Sequence, residues 1–594
     1  MTQEIGLVLG ILAVSIALFV SERIRVDLVA MLVLITLALT GLVSTEEAFS
    51  GFSSPAVITV WAVYIISGAL FRTGVADVLA RFMLRLAGDN YVRILLVIML
   101  TVGIMSAFMN NIGAVAILLP AVMSISRRIN VAPSKLLIPM AFTSLLGGKM
   151  TLIGTPPNIL ATSIMETYGG LEPFSFFDFT PMGIIVLGTG IAYFLLVGRH
   201  LLPERKPGGD LSTDYAVRDY ISEVRVRDNS SLHGKTIGEA NLGEEEGVQI
   251  LQIRRVDREP ITPGPERRIL GGDILLVQTS PEVLARAKNS LGLEAVDEWK
   301  FEDFEGSDAT EHELMEVTLA PRSKLVGQTV READFRAKYG LTVVAIQQRG
   351  EALISQIADE PLNFGDALLV RGSKASINLL RQDTDFLVLD SPPIEDRRLN
   401  RAPLAVAIIA GVLVAVSTQL LTTSTAMLIG AMLMVLTGAL KMDEAYESIE
   451  WKSVFLIAGM LPMGVAMQKS GTAEFLASGI IDIVGDWGVL AVMMGIFLMT
   501  ALTTEVMSNA AATVLVTPIA IDAARTLGAN PQTFVMAVVI AAATSFLMPI
   551  GHQANVLVFG PGGYKFFDYT RVGVWLNILM FIVVALVLPL IWPL

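Results

Sequence analysis

The sequence predicts a polytopic α-helical membrane protein, two inverted five-helix repeats with re-entrant hairpins and broken helices, interrupted by a cytoplasmic α+β insert. Three observations carry that reading. The 594 residues are 53% hydrophobic and 17% charged, with a mean hydropathy of +0.62, which indicates many membrane spans. Apolar runs of spanning length fill residues 4–200 and 402–593, whereas residues 206–400 hold most of the Asp, Glu, Lys and Arg. The pattern of the first half also restarts in the second at a nearly constant offset.

In chain order, the first half offers spans at 4–20, 27–43, 56–71, 136–160 and 179–198. The second offers 403–418, 424–440, 451–468, 533–556 and 574–593. The first run has no basic n-region before it and no small-residue cleavage site, so it reads as a retained helix rather than a signal peptide. Two further runs, 91–127 and 488–525, have the length of helix–tip–helix hairpins. Their tips are Met105–Asn111, MSAFMNN, and Met507–Ala511, MSNAA. Residues 72–88 are amphipathic and suit the membrane surface.

The landmarks of the repeat are regular. Gly438 follows Gly41 by 438 − 41 = 397, and Lys469–Glu474 follows Arg72–Asp77 at the same spacing. Asn509 and Pro518 follow Asn111 and Pro120 by 398, and Asn555 follows Asn158 by 397. Five spans per half is an odd number, so the halves should run in opposite senses across the membrane. Charges agree. Arg23, Arg25, Arg72, Arg81, Arg85, Arg93, Arg127, Arg128, Lys135, Arg199, Arg205 and Lys206 fall on one side, and Glu46, Glu47, Glu166, Glu172 and Asp178 on the other. The basic side is the cytoplasm. This gives a multi-pass protein of the inner or plasma membrane, with both termini outside and the insert inside.

The insert is itself duplicated. Leu232, Gly234 and Thr236 match Leu325, Gly327 and Thr329, Gly247 matches Gly340, and Gly272-Asp273 matches Gly365-Asp366, all 93 apart. Each copy reads as short β-branched strands, a Gly-Asp turn and a short helix. The predicted boundaries are 1–205 and 396–594 for the membrane repeats, 206–300 and 301–395 for the modules.

The tips and two interrupted spans carry the chemistry. Adjacent amides in hydrocarbon are costly unless they line a cavity or bind something. Helix–helix glue would not explain their recurrence in matched hairpins. In TSLLGGKMTLIGTPPNIL, Gly147, Gly148, Gly154, Pro156 and Pro157 preclude a continuous helix. The second copy, TSFLMPIGHQAN, should break around Pro549 and Gly551. Unwound carbonyls suit a hard cation, and half-helix N-termini suit an anion. Lys149, inside a span, reads as a charge facing an anion or replacing a coupling cation; the bland alternatives are snorkelling or pairing with Glu505. Glu505 itself either acts directly or stiffens its hairpin. His552 is a substrate donor, a proton carrier, or a satisfied structural histidine.

Several classes are excluded. With no cysteine there are no disulfides or thiolate metal sites. A formal net charge of −13 gives nucleic acid no footing. Gly147-Gly148-Lys149 continues with Met150 where a phosphate loop needs Ser or Thr. No metal-hydrolase spacing occurs, so the chain is read as no enzyme, without cofactor, and driven by an ion gradient.

These motifs resemble the divalent anion/sodium symporter (DASS) family. The likeness covers about residues 4–200 and 402–593 and rests on the Asn-bearing tips and the Gly-Thr-Pro-Pro-Asn break. The stretch 549–571 is similar to the bacterial and algal branch usually assigned to sulfate. The insert resembles the TrkA-C (RCK-C) regulatory module, on the L-x-G-x-T, G-[VL]-x-[IV] and G-D-x-L-L-V patterns. The resemblance implies an elevator-type transport domain, a dimerising scaffold, and a first sodium site at Ser106, Asn110, Asn111 and the Gly154 loop. It places a second at Thr504, Ser508, Asn509 and the Gly551 loop, with substrate near Asn111, Thr155, Asn509, His552 and Lys149. Dicarboxylate carriers usually have Thr after each tip Asn; Ile112 and Ala510 stand here and suit a compact oxyanion such as sulfate. The expected partners are a small anion, sodium (with protons as the alternative coupling ion), a second copy of the chain, and a cytoplasmic nucleotide or metabolite on the modules. The alternatives are a succinate or citrate symporter, a ligand-gated ion pathway, or a sensor that has lost transport.

Overall fold

The computed structural model describes residues 2–21, 24–75, 78, 88, 90–205, 221–240, 242, 248–255, 266–279, 281–295, 312–319, 323–348, 351–353, 357–363, 366–383, 385–388 and 398–594. Most of the amphipathic stretch 72–88, with Arg81 and Arg85, and also Arg23, Lys206, Gly247 and Gly365, lie outside them. The chain divides into two compact units, residues 1–204 with 391–594, and residues 205–390.

The first unit is helical. Its first half holds α1 (Gln3–Ser21), α2 (Val26–Leu39), α3 (Thr45–Phe49), α4 (Pro55–Arg72), α5 (Tyr91–Ser106), α6 (Asn111–Arg128), α7 (Leu137–Gly147), α8 (Pro156–Thr167) and α9 (Thr180–Leu201). Its second half holds α10 (Ala402–Ser417), α11 (Thr423–Leu436), α12 (Met442–Ser448), α13 (Trp451–Ser470), α14 (Thr472–Val484), α15 (Val489–Thr503), α16 (Asn509–Thr526), α17 (Pro531–Ala541), α18 (Gln553–Phe559) and α19 (Phe566–Ile591). Among the described residues, five helices are long and apolar enough to cross a membrane, or up to seven if each bent pair counts as one.

The two halves contact each other by exchange. Helix α2 packs on α13, and α11, the counterpart of α2, packs on α4. Helix α8 packs on α16 as α18 packs on α6, and α9 packs on its own counterpart α19. Such reciprocal pairs are what a pseudo-two-fold axis between two copies produces. The repeated glycines explain part of the regularity: Gly41 and Gly438 end α2 and α11 at φ +73° and +72°, where any side chain is strained. They also stop both helices earlier than the hydrophobic runs suggest. At 14 residues each, these helices are about 21 Å long, short of a bilayer core of about 30 Å.

The spans expected at 136–160 and 533–556 are four short helices, α7 with α8 and α17 with α18. An 11-residue helix such as α7 or α17 covers about 16 Å, so both end in mid-membrane. Every residue of α7 is buried, whereas most of α1, α10 and α19 faces outward. The short helices α3, α12 and α14 were not anticipated. Two of them begin with polar, capped turns rather than apolar runs, Ser44 capping α3 and Lys441 preceding Asp443 and Glu444 of α12.

The second unit carries two sheets. One has the order β2–β3–β1–β4, from β1 (Ile221–Val226), β2 (Gln249–Arg254), β3 (Ile274–Gln278) and β4 (Leu293–Ala295). The other is β7–β6–β8–β5–β9, from β5 (His312–Leu319), β6 (Leu341–Gln348), β7 (Glu351–Leu353), β8 (Ala367–Ser373) and β9 (Phe386–Val388). Without β7 the orders are the same. The β-bulge at Ile250/Gln252 recurs at Val343/Ala345, 343 − 250 = 93 residues on. The isolated bridge Thr236–Arg268 recurs as Thr329–Pro361 at the same spacing. Each sheet has its own apolar core, one around Val224, Ile253 and Val277 and one around Phe335, Ile346 and Val370.

Candidate functional site

Each tip is a short turn that ends where a polar side chain caps the next helix. Asn110 Oδ1 accepts from Ile112 N at 3.1 Å at the start of α6. Ser508 Oγ accepts from Ala511 N at 3.2 Å at the start of α16. Both predicted cation ligands therefore have a capping role that fixes the entry of the helix. The following residues, Asn111 and Asn509, are the first of their helices and are buried.

In the first repeat the structure brings tip and break together. A Cβ added to Gly148 would stand 2.4 Å from Thr155 Cγ2 and 2.9 Å from Asn111 Oδ1, and one on Gly154 would meet Gly148 O at 2.4 Å. Only glycine permits these approaches. Thr151 Oγ1 donates to Ala107 O, tying the break to the tip. Asn158 Nδ2 donates to Gly148 O at 3.0 Å and Thr151 O at 2.7 Å, and its Oδ1 accepts from Thr155 at 3.0 Å. Two oxygens in this cluster, Ser106 Oγ and Asn111 Oδ1, are buried with no hydrogen-bond partner. Buried acceptors are rarely left so unless something binds them.

In the second repeat Glu505 does what no sequence pattern announced. Its carboxylate accepts from Phe546 N at 2.9 Å, Leu547 N at 2.8 Å and Met548 N at 3.1 Å. These amides lie outside any helix because α17 ends at Ala541, eight residues before the Pro549 that was expected to break it. The carboxylate, a strong acceptor, holds the chain extended there. Gly551 leaves room for it: a Cβ would lie 2.9 Å from Glu505 Oε2. Thr504 Oγ1 donates to Asn509 Oδ1 at 2.7 Å, and Ser545 Oγ reaches the same oxygen at 3.2 Å. Asn555 Nδ2 donates to Ser545 O at 2.8 Å.

Lys149 does not pair with Glu505. It is 2% exposed, and its Nζ donates to Val539 O at 2.5 Å, the C-terminal end of α17 in the other repeat. A cation there meets the negative end of the helix dipole. His552 Nδ1 accepts from Ala554 N at 3.0 Å and so caps α18. Four helices, α6, α8, α16 and α18, begin at a tip or a break, and they contact one another as α8 with α16 and α6 with α18. Their N-termini and Lys149 can hold an anion; the orphaned oxygens can hold a cation. A cavity of about 460 Å³ reaches the first tip at Asn110 and Gly113 and extends past Tyr64, Ser67 and Glu450 to Arg72. Sequence reading passed over Ser545 and Thr151 and took Gly148 only as a helix breaker. The repeat offset alone would have flagged Ser545, which stands where the first copy has Gly148.

Comparison with known proteins came to the same region of sequence space. A family model described as citrate transporter, CitMHS, matches residues 16–537. The uncharacterized transporter sll0640 of Synechocystis sp. (strain ATCC 27184 / PCC 6803 / Kazusa) is 37% identical over 99% of this chain and 97% of its own. Sodium/sulfate cotransporter 2 of Chlamydomonas reinhardtii is 26% identical over 63% of this chain and 43% of its own. Among solved structures, the GsuK RCK domain is matched at 14% identity over 27% of this chain and 62% of that one, with a TM-score of 0.14.

Glu505→Ala takes the carboxylate from two part-buried amides, Leu547 N and Met548 N, each costing up to about 1–3 kcal/mol, while Phe546 N keeps Thr544 O; the variant is expected to abolish transport and lower thermal stability. Glu505→Gln keeps one acceptor oxygen and should retain part of both. Equal stability of wild type and Glu505→Ala in a detergent melt would contradict this role.

Proposed function

The chain belongs to the citrate-transporter (CitMHS) family, and from that premise we propose that it is a secondary active carrier of a small divalent oxyanion, with sulfate as lead substrate and sodium as the coupling ion. The observation that carries the reading is two opposite chemistries in one buried cluster. Helix N-termini and Lys149 favour an anion, and the partnerless Ser106 Oγ and Asn111 Oδ1 favour a hard cation. Ile112 and Ala510 lack the hydroxyls a carboxylate would use after each tip asparagine, which favours sulfate over succinate or citrate. The similarity to a sodium/sulfate cotransporter supports the same choice. The family's description favours citrate as the second reading.

Transport is proposed to proceed by an elevator movement of hairpins and broken helices against a dimeric scaffold, with Asn110 and Ser508 capping the moving tips and Gly154 and Gly551 lining the ion loops. Thr155, His552, Asn111 and Asn509 surround the substrate. The duplicated modules are proposed to sense a cytoplasmic nucleotide or metabolite and to adjust the carrier.

Labelled sulfate should enter proteoliposomes saturably and faster with a sodium gradient than without, and succinate and citrate should enter poorly. Asn111→Ala and Asn509→Ala should each lower uptake by about 10–100-fold, the loss of one or two strong contacts, with folding intact. Sodium-independent uptake, or preference for citrate, would refute the corresponding half of the reading. Removal of residues 206–395 should change uptake rate or dimer stability; if neither moves, the modules are not regulators. Because the chain has no native cysteine, single cysteines at Thr2 and Lys235 can be labelled with an impermeant maleimide in intact cells. Thr2→Cys should react from outside and Lys235→Cys only after the membrane is opened; the reverse pattern would invert the topology.

A further inference from the structure

We propose that the two repeats do not each hold a sodium ion: the first-repeat site at Ser106 and Asn111 takes the single coupling ion, and the second-repeat site is closed by the hydroxyls of Thr504 and Ser545. This rests on the sodium-symport reading and deepens it by assigning the ion to one half.

The repeat aligns Ser106 with Thr504, Asn111 with Asn509, and Gly148 with Ser545. In the first repeat both oxygens are buried and unpartnered. The backbone position that could have supplied a donor is Gly148, whose absent Cβ would stand 2.9 Å from Asn111 Oδ1. The second repeat has a serine there. Ser545 Oγ lies 3.2 Å from Asn509 Oδ1, and Thr504 Oγ1 lies 2.7 Å from the same atom and 2.9 Å from Ala542 O. The asparagine oxygen is satisfied before any ion arrives. A hard cation needs several oxygens whose lone pairs all face it; hydroxyl protons turned toward the centre oppose that arrangement. Among the described residues the second repeat leaves two buried side-chain oxygens over, Asn577 Oδ1 on α19 and, nearer the break, Asn555 Oδ1. The latter is left because His552 replaces Thr155, the donor to its counterpart Asn158, and it sits on α18, not at the tip.

A second observation points the same way. Lys149 Nζ binds Val539 O, and the repeat carries this pair onto Phe546 and Phe142. Those two residues do touch, but as rings 4.7 Å apart. The same contact is thus a fixed cation in one copy and an aromatic pair in the other. The lysine belongs to the first repeat, but its Nζ meets the C-terminal, negative end of α17 in the second; the matching end of α7 in the first repeat meets a ring instead.

Binding of ²²Na⁺ to the purified full-length chain should saturate near one ion, and sodium-dependent sulfate uptake should show a Hill coefficient of about 1. Ser545→Gly copies the bare position of Gly148 into the second repeat and should raise both values toward about 2. Ser106→Ala should weaken sodium binding by at least about tenfold, the loss of one buried ligand; Ser106→Cys, whose soft sulfur is a poor sodium ligand, replaces it if the alanine variant does not fold. Two ions on the wild type, or unchanged binding in either Ser106 variant or in folded Ser545→Gly, overturn the assignment. No sodium bound at all overturns the symport reading on which it stands.

Discussion

A backbone amide or carbonyl released from a helix inside hydrocarbon must find its partner within the protein, and this governs the whole membrane unit. The chain interrupts its helices four times at that depth, at two tips and two breaks. Asn110 and Ser508 answer for the tips by capping the next helix. Asn158 answers for the first break by donating to two freed carbonyls. Glu505 answers for the second by accepting from three freed amides, while Asn555 takes the Ser545 carbonyl. These partners work only where water and lipid are excluded, so α7 is buried throughout and the long helices α1, α10 and α19 form the outside.

The same constraint explains why duplication suits this chain. A half-helix of about 16 Å cannot span a bilayer alone, and two copies related by a two-fold axis can bury each other's ends. Helices α7 and α17 pack on α18 and α8 of the opposite repeat. Phe142 of α7 braces the second break through Phe546 and Tyr569, and Tyr569 Oη donates to Asn555 O at 2.8 Å. Lys149 of the first break braces α17 in return. The frame is symmetric, and the residues placed on it are not. A carboxylate holds one break, and glycines fold the other.

Most of the architecture was legible before any coordinates. Hydropathy located the spans, the 397–398 offset found the repeat, and the 93-residue offset found the modules, because both duplications preserve glycines that hold left-handed or close-packed backbone, such as Gly41 with Gly438 and Gly234 with Gly327. The tip asparagines and Gly154 were readable for the same reason. Three features were not. The second break opens at Ala542, ahead of its proline, because a buried carboxylate from the second tip competes for the amides, and no local pattern records that. The alternative Lys149–Glu505 pair does not form, because Lys149 is satisfied by backbone of the opposite repeat and Glu505 by backbone of its own. The short helices α3 and α12 begin on polar, capped turns and leave little hydrophobic signal.

By itself the sequence determined what must be in the membrane, how many times the pattern is used, and which polar residues cannot be there for packing alone. Periodicity and composition report local burial, and the repeat spacing reports a common backbone. Only the tertiary structure decided which polar atoms satisfy one another and which are left over. Ser106 and Thr504 look alike along the chain; what separates them is whether Gly148 or Ser545 stands across from the tip, a contact some forty residues distant that packing alone creates.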